Sequence, residues 1–112
     1  MSKYFGFARI KVLRRMLDKV LKMGELFDFY GSLLTDKQRC CMEMYYIQDL
    51  SLAEIGAELD ISRQAVHDML RRSEQMLTEF EEKLQLATRY DKERRLLTEV
   101  YALLGDLPPD ML

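Results

Sequence analysis

The sequence predicts an all-α protein organised around a helix-turn-helix, and three observations predict it. Its 112 residues are rich in Leu, Met, Glu, Lys and Arg, all good helix formers, and no run alternates apolar and polar residues at period two. The two prolines, Pro108 and Pro109, stand near the end, so nothing imposes a break on the rest. Between Ser51 and Arg72 two helical patterns follow one another across a tight turn, the second running well beyond the motif. With 48% hydrophobic residues the chain suits one modest helical core.

Residues 1–22 differ in character from the rest of the chain. Lys3, Arg9, Lys11, Arg14, Arg15, Lys19 and Lys22 stand against Asp18 alone, a net +6 that leaves −8 for the remainder of a chain whose total is −2. Ile10, Leu13, Leu17 and Val20 share one helical face there. Such a basic amphipathic helix can lie on an anionic membrane or grip a nucleic-acid backbone. The favoured reading is a loosely attached helix, or an extension set by start-site choice with Met23 as the alternative start. Arg14 and Arg15 interrupt the apolar pattern, which argues against a signal peptide. Residues 1–22 are therefore read as an N-terminal extension, and 23–112 as the helix-turn-helix domain with a C-terminal helical arm.

Gly24–Leu34 places Leu26, Phe27, Phe29, Tyr30, Leu33 and Leu34 on a wide helical face suited to a core or subunit contact. Gly31 there would let another helix approach. Thr35 and Gln38 form a capping box that opens a helix over Asp36–Tyr46, with Cys40, Met44 and Ile47 on one side and Cys41 and Tyr45 beside it. Adjacent cysteines in a helix point about 100° apart, so a reduced pair is expected, as in a cytoplasmic protein.

After the polar break Gln48–Asp49, Ser51 caps the next helix and Glu54 completes a second capping box. Leu52, Ile55 and Leu59 form its apolar face, and the small residues Gly56 and Ala57 suit a close helix crossing. Ser62 then caps a helix that begins at Arg63. Val66, Met69 and Leu70 point inward on it, leaving Arg63, Gln64, His67, Arg71 and Arg72 for the outer faces. In a helix-turn-helix this second helix offers its side chains to the DNA major groove.

The apolar pattern does not stop with the motif. Val66, Leu70, Ser73, Leu77, Phe80, Leu84 and Ala87 recur at alternating spacings of 4 and 3, the seam of a left-handed helix pair. Its partner is either the chain's own last helix, near Glu93–Leu104, or a second copy of the protein. The repeat breaks over Thr88–Lys92, the expected hinge. Gly105 ends the last helix, and DLPPDML reads as an extended tail.

Several function classes find no support. There is no nucleophile–base pair, no Gly-rich phosphate loop and no metal-ligand cluster around the single histidine, His67, so neither an enzyme nor a cofactor is expected. The acidic residues read as surface charge and i,i+4 pairing, as with Glu79 and Lys83. No apolar run reaches the ~18–20 residues of a membrane span.

LFDFYGSLLTDKQ, YYIQDLSLAEIGAEL and DISRQAVHDMLRRSEQML resemble the YlxM family of small bacterial proteins over roughly Met23–Leu104. The motif is also similar to region 4 of sigma factors. The resemblance implies a winged-helix-like or sigma region 4-type three-helix core with a long extended recognition helix and a C-terminal helix. It further implies a homodimer, commonly encoded beside the signal recognition particle genes, with a regulatory or accessory role in that pathway. The family's recognition segment falls on Ser62, Arg63, Gln64, Ala65, Val66 and His67. Asp60 stands where such motifs usually have Gly in the turn, and Asp tolerates positive φ better than most residues. Residues 1–22 have no counterpart in the family pattern.

Two functions follow as expectations. In the first the protein reads DNA, with Ser51, Ser62, Arg63, Gln64, His67, Arg71 and Arg72 as the interface: Gln64 pairs with adenine, Arg63 or Arg71 with guanine or phosphate, and Ser62 with phosphate. In the second it docks on signal recognition particle protein or RNA. The acidic body favours the second, because strong independent DNA binding usually shows a basic footprint.

Overall fold

A computed structural model describes residues 2–106 of the chain, the side chains of residues 2–5 and 7 apart. Among the described residues five α-helices follow in order: α1 (Ser2–Tyr30), α2 (Asp36–Met42), α3 (Leu52–Leu59), α4 (Arg63–Leu84) and α5 (Leu86–Gly105). The all-α class stands. No strand, and so no wing, occurs among the described residues, and α3, the turn at Asp60 and α4 stand in helix-turn-helix order. The expected tail lies outside the described residues except for Asp106.

The caps read from the sequence set the boundaries of the core helices. Thr35 Oγ1 accepts the Gln38 N–H at 3.2 Å, and Gln38 Oε1 accepts the Thr35 N–H at 3.1 Å. Ser51 and Glu54 repeat the arrangement at the start of α3, and Ser62 Oγ accepts the Ala65 N–H at 3.1 Å to open α4. Each such cap contributes about 0.5–2 kcal/mol. Asp60 adopts the left-handed conformation at φ 55°, so the turn forms without glycine. Gly56 has no freedom to change: a Cβ there would stand 2.8 Å from the Ile61 carbonyl oxygen. Ala57 is exposed, so only Gly56 serves the close crossing.

The core gathers Leu26 and Tyr30 of α1, Leu34 of the connection that follows, Cys41 and Met42 of α2, Ile55 of α3, and Val66, Leu70 and Leu77 of α4. Among the described residues no buried side-chain nitrogen or oxygen lacks a partner. Ser73, the polar member of the α4 seam, donates to the Met69 carbonyl at 2.8 Å.

Five details differ from the sequence reading. First, α1 runs unbroken through Lys22 and Gly24 instead of restarting. A helical Gly costs only about 1 kcal/mol against Ala, and burial of Met23 and Leu26 on either side outweighs it. Second, Gly31, just past the end of α1, accommodates the ring of Phe27 of that helix, 3.1 Å from a would-be Cβ, and not a second helix. Third, α2 ends at Met42 and a single π-helical turn, Glu43–Ile47, follows. Its wider bonding, with the Gln48 N–H donating to the Glu43 carbonyl, rotates the chain that follows, and Ile47 faces solvent while Cys41 and Met42, ahead of it, face the core.

Fourth, the seam is fully buried from Val66 to Leu77, against α1, α2 and α3, and again at Ala87, while Phe80 is half-buried and Leu84 exposed. The chain turns at Gln85, left-handed at φ 53°, and not over Thr88–Lys92. Fifth, Glu79 accepts a hydrogen bond from Gln75 at 3.4 Å, with no ion pair to Lys83.

The first half of α1 and most of α5 project from this core. The radius of gyration is 19.9 Å, against the ~13 Å expected for a compact domain of this length. Leu96, Leu97, Val100 and Leu104, on the helix that was one candidate partner for the seam, all face solvent.

Candidate nucleic-acid interface

Ser62 lies outside the helix in extended backbone, and its hydroxyl secures the first turn of α4. Beyond it the helix alternates roles at helical spacing. Val66, Leu70, Ser73 and Leu77 face the core, while Gln64, His67 and Arg71, spaced by 3 and 4, form an exposed stripe on another side. Arg63 is exposed at the first position of the helix and Arg72 beside the stripe.

Gln64, His67, Arg71 and Arg72 come together along one open groove of about 850 Å³, whose other wall includes Met23 of α1. Gln64 donates to Asp68 Oδ1 at 3.1 Å, and His67 Nδ1 lies 3.7 Å from the same oxygen. Asp68 therefore holds Gln64 in place and sets a negative charge among the candidate readers. Ser51, Ser62 and Arg63 do not line the groove. Ser51 is committed to the cap of α3, and Arg63 stands at the leading end of α4 where the first contacts of a recognition helix fall.

Two residues of this surface were not singled out in the sequence. Asp68 was legible, four residues after Gln64 on the same helical face. Lys19 was not: it approaches from α1, its Nζ 3.4 Å from Glu74 Oε2, and shares a smaller cleft with His67 and Arg71. Glu74 also accepts the Tyr46 hydroxyl at 2.5 Å, joining α1, α4 and the π turn. Burial, followed by this hydrogen bond, pushes the Tyr46 phenol far above its ordinary range, so it remains a donor.

The groove carries no constellation for covalent chemistry. Cys40 and Cys41 are free thiols on α2 that do not line the groove, and burial pushes Cys41 up to about 11, away from a reactive thiolate. Among the described residues no group of three His, Cys, Asp or Glu could hold a metal ion, and no helix is long and apolar enough to cross a membrane.

Comparison with known proteins agrees with this architecture. Residues 17–106 match the profile of a family described as "Putative helix-turn-helix protein, YlxM / p13 like". A UPF0122 protein of Shouchella clausii is 58% identical over 85 residues, 76% of this chain and 78% of the relative. One from Halalkalibacterium halodurans is 54% identical over the same shares of each, and one from Bacillus cereus 50% identical over 91 residues, 81% of this chain and 83% of the relative.

Proposed function

This chain belongs to the UPF0122 family of YlxM- and p13-like helix-turn-helix proteins, and from that premise we propose that it is a non-catalytic, DNA-binding regulator of the cytoplasm. The observation that carries the reading is the free leading end of α4. Ser62, Arg63, Gln64, His67 and Arg71 are exposed, on a helix whose opposite side is fixed by Ile55, Val66 and Leu70. A rigid helix with a polar, uncovered first turn is what major-groove reading requires. Arg63 and Arg71 supply bidentate donors, and Gln64 can exchange Asp68 for an adenine edge.

The protein works as a homodimer, joined through α5. Its exposed Leu97, Val100, Tyr101 and Leu104 recur on one face, and an apolar stripe of that kind suits a second copy. Pairing also sets two recognition helices at a fixed spacing, as half-sites need.

A second reading rests on charge. Residues 23–112 are acidic, which weakens binding to DNA phosphates and suits a basic partner. In that reading the same surface docks on the protein or RNA of the signal recognition particle, with a regulatory role in that pathway. Selection from random duplexes, run beside titration with the reconstituted particle, separates the two. A recovered palindromic motif supports DNA reading; micromolar association with the particle and no recovered motif overturns it in favour of docking.

A further inference from the structure

We propose that the projecting part of α1, residues 8–22, is a membrane-surface helix that seats on anionic phospholipid. Ile10, Leu13, Met16, Leu17, Val20 and Leu21 are each at least 45% exposed, although the same helix buries Leu26 and Tyr30 further on. At helical spacing these six fall on one side of the helix, with Arg9 at its border. Lys11, Arg15, Lys19 and Lys22 fall on the other side with Asp18, the single acid, while Arg14 borders the stripe; Lys19 also reaches Glu74 of α4. An apolar stripe backed by cations is the pattern of a helix lying in the headgroup boundary.

Charge selects the occupant. The other exposed apolar face, on α5, is accompanied by Arg89, Lys92, Arg94 and Arg95 against Asp91, Glu93 and Glu99, a net +1 that offers the cations of α1 on a second copy no complement. The acidic remainder offers only scattered exposed apolar residues, such as Leu33, Ile47 and Leu84. Nucleic acid would satisfy the cations and leave the stripe in water. An anionic lipid surface satisfies both: the stripe enters the acyl boundary while the cations meet lipid phosphates. The helix lies on the bilayer and does not cross it, in keeping with its polar half.

The chain contains no tryptophan, so Leu17→Trp in the full-length protein reports directly on the stripe. With phosphatidylcholine vesicles containing about one-third phosphatidylglycerol, the expected result is a blue-shifted emission and partitioning roughly tenfold stronger than with phosphatidylcholine alone. Raising salt to about 0.3 M should weaken it several-fold. Leu13→Glu with Val20→Glu should abolish partitioning, and Arg14→Gln with Arg15→Gln should weaken it, neither pair touching the core. Equal behaviour with and without the anionic lipid, or partitioning unchanged in Leu13→Glu/Val20→Glu, overturns the proposal. So does a failure to bind vesicles where Leu13→Glu/Val20→Glu dissociates an oligomer, or where Arg14→Gln/Arg15→Gln weakens duplex DNA binding.

Discussion

Tyr30 of α1 donates its hydroxyl hydrogen to Glu81 Oε1 at 2.6 Å, and its oxygen accepts the Leu86 backbone N–H at 3.0 Å. Glu81 in turn accepts the N–H groups of Ala87 and Thr88 and the Thr88 hydroxyl. One buried phenol and one carboxylate thus satisfy the orphan donors that α5 presents where the chain turns at Gln85. The direction of the C-terminal arm is set from the first helix.

Tyr30→Phe should keep the core packed and loosen the elbow. The ring still fills its site beside Phe80, while Glu81 and the Leu86 N–H each lose a partner. A fall of a few degrees in Tm is expected, with amide exchange at Leu86–Thr88 accelerated far more than at Val66–Leu77. Uniform acceleration across both segments would show that α5 is not separately anchored.

Acid should release the same contact. Desolvation by burial would raise the Glu81 pKa, but hydrogen bonds from Tyr30, Thr88 and the Ala87 N–H outweigh it and hold the carboxyl below its ordinary 4.5. A depressed carboxyl adds stability that is complete above the unfolded value and lost as pH falls through the folded one. Tyr30 runs the other way: burial first, and Glu81 second, raise its phenol above 10.0, so its contribution is complete below 10.0 and lost as pH rises through the higher folded value. Thermal melts between about pH 5 and 3 should therefore lose Tm more steeply in the native protein than in Glu81→Gln. Parallel curves would remove Glu81 from the acid transition.

This elbow also marks the limit of what the chain reveals before folding. The caps at Thr35, Ser51 and Ser62 were legible because each bonds three residues ahead, and Asp60 because its φ is a local property. Gln85 carries no such signal. Its turn is fixed by Tyr30, more than fifty residues away, and the seam continues numerically through Leu84 to Ala87 as if nothing had happened. The π turn was hidden likewise, since a helix with one residue inserted keeps helical composition. Within the interface, the stripe on α4 was readable from periodicity, whereas Lys19 joins it only through tertiary packing.

Gly56→Ala tests the crossing of α3 and α4. The new methyl would press on the Ile61 carbonyl oxygen, backbone that cannot swing aside as a flexible side chain does. Overpacking of this kind costs about 1–3 kcal/mol, and the turn at Asp60 must open to relieve it. Urea titration should show the loss, where Ala57→Gly, at an exposed position, should cost no more than about 1 kcal/mol of helix propensity. Equal costs at the two positions would mean that the helices adjust freely.

Leu97→Glu with Leu104→Glu addresses the dimer. Both side chains are exposed in the single chain, so the substitutions should leave its helicity unchanged. Two buried carboxylates in a symmetric apolar contact are strongly disfavoured. Sedimentation equilibrium at micromolar protein should therefore show a dimer in the native chain and a monomer in the variant. A dimer that persists would move the contact away from α5.

The decisive substitution for DNA reading is Arg63→Ala with Gln64→Ala. Neither residue packs in the core, and Ser62 keeps its cap on the Ala65 N–H, so far-UV circular dichroism should not change. Each good base contact contributes about 1–3 kcal/mol of discrimination, so losing both should weaken a selected site by roughly thirtyfold to twenty-thousandfold. Binding to unrelated duplexes should change much less, because Gln64 carries no charge and Arg63 removes one phosphate contact at most. Arg71→Ala offers the contrast. If that side chain meets phosphate, it should lower affinity for all duplexes alike and reduce the salt dependence by about one counterion. If Arg63→Ala/Gln64→Ala lowers specific and unrelated duplexes equally, α4 grips backbone without reading bases, and sequence recognition has to come from another surface.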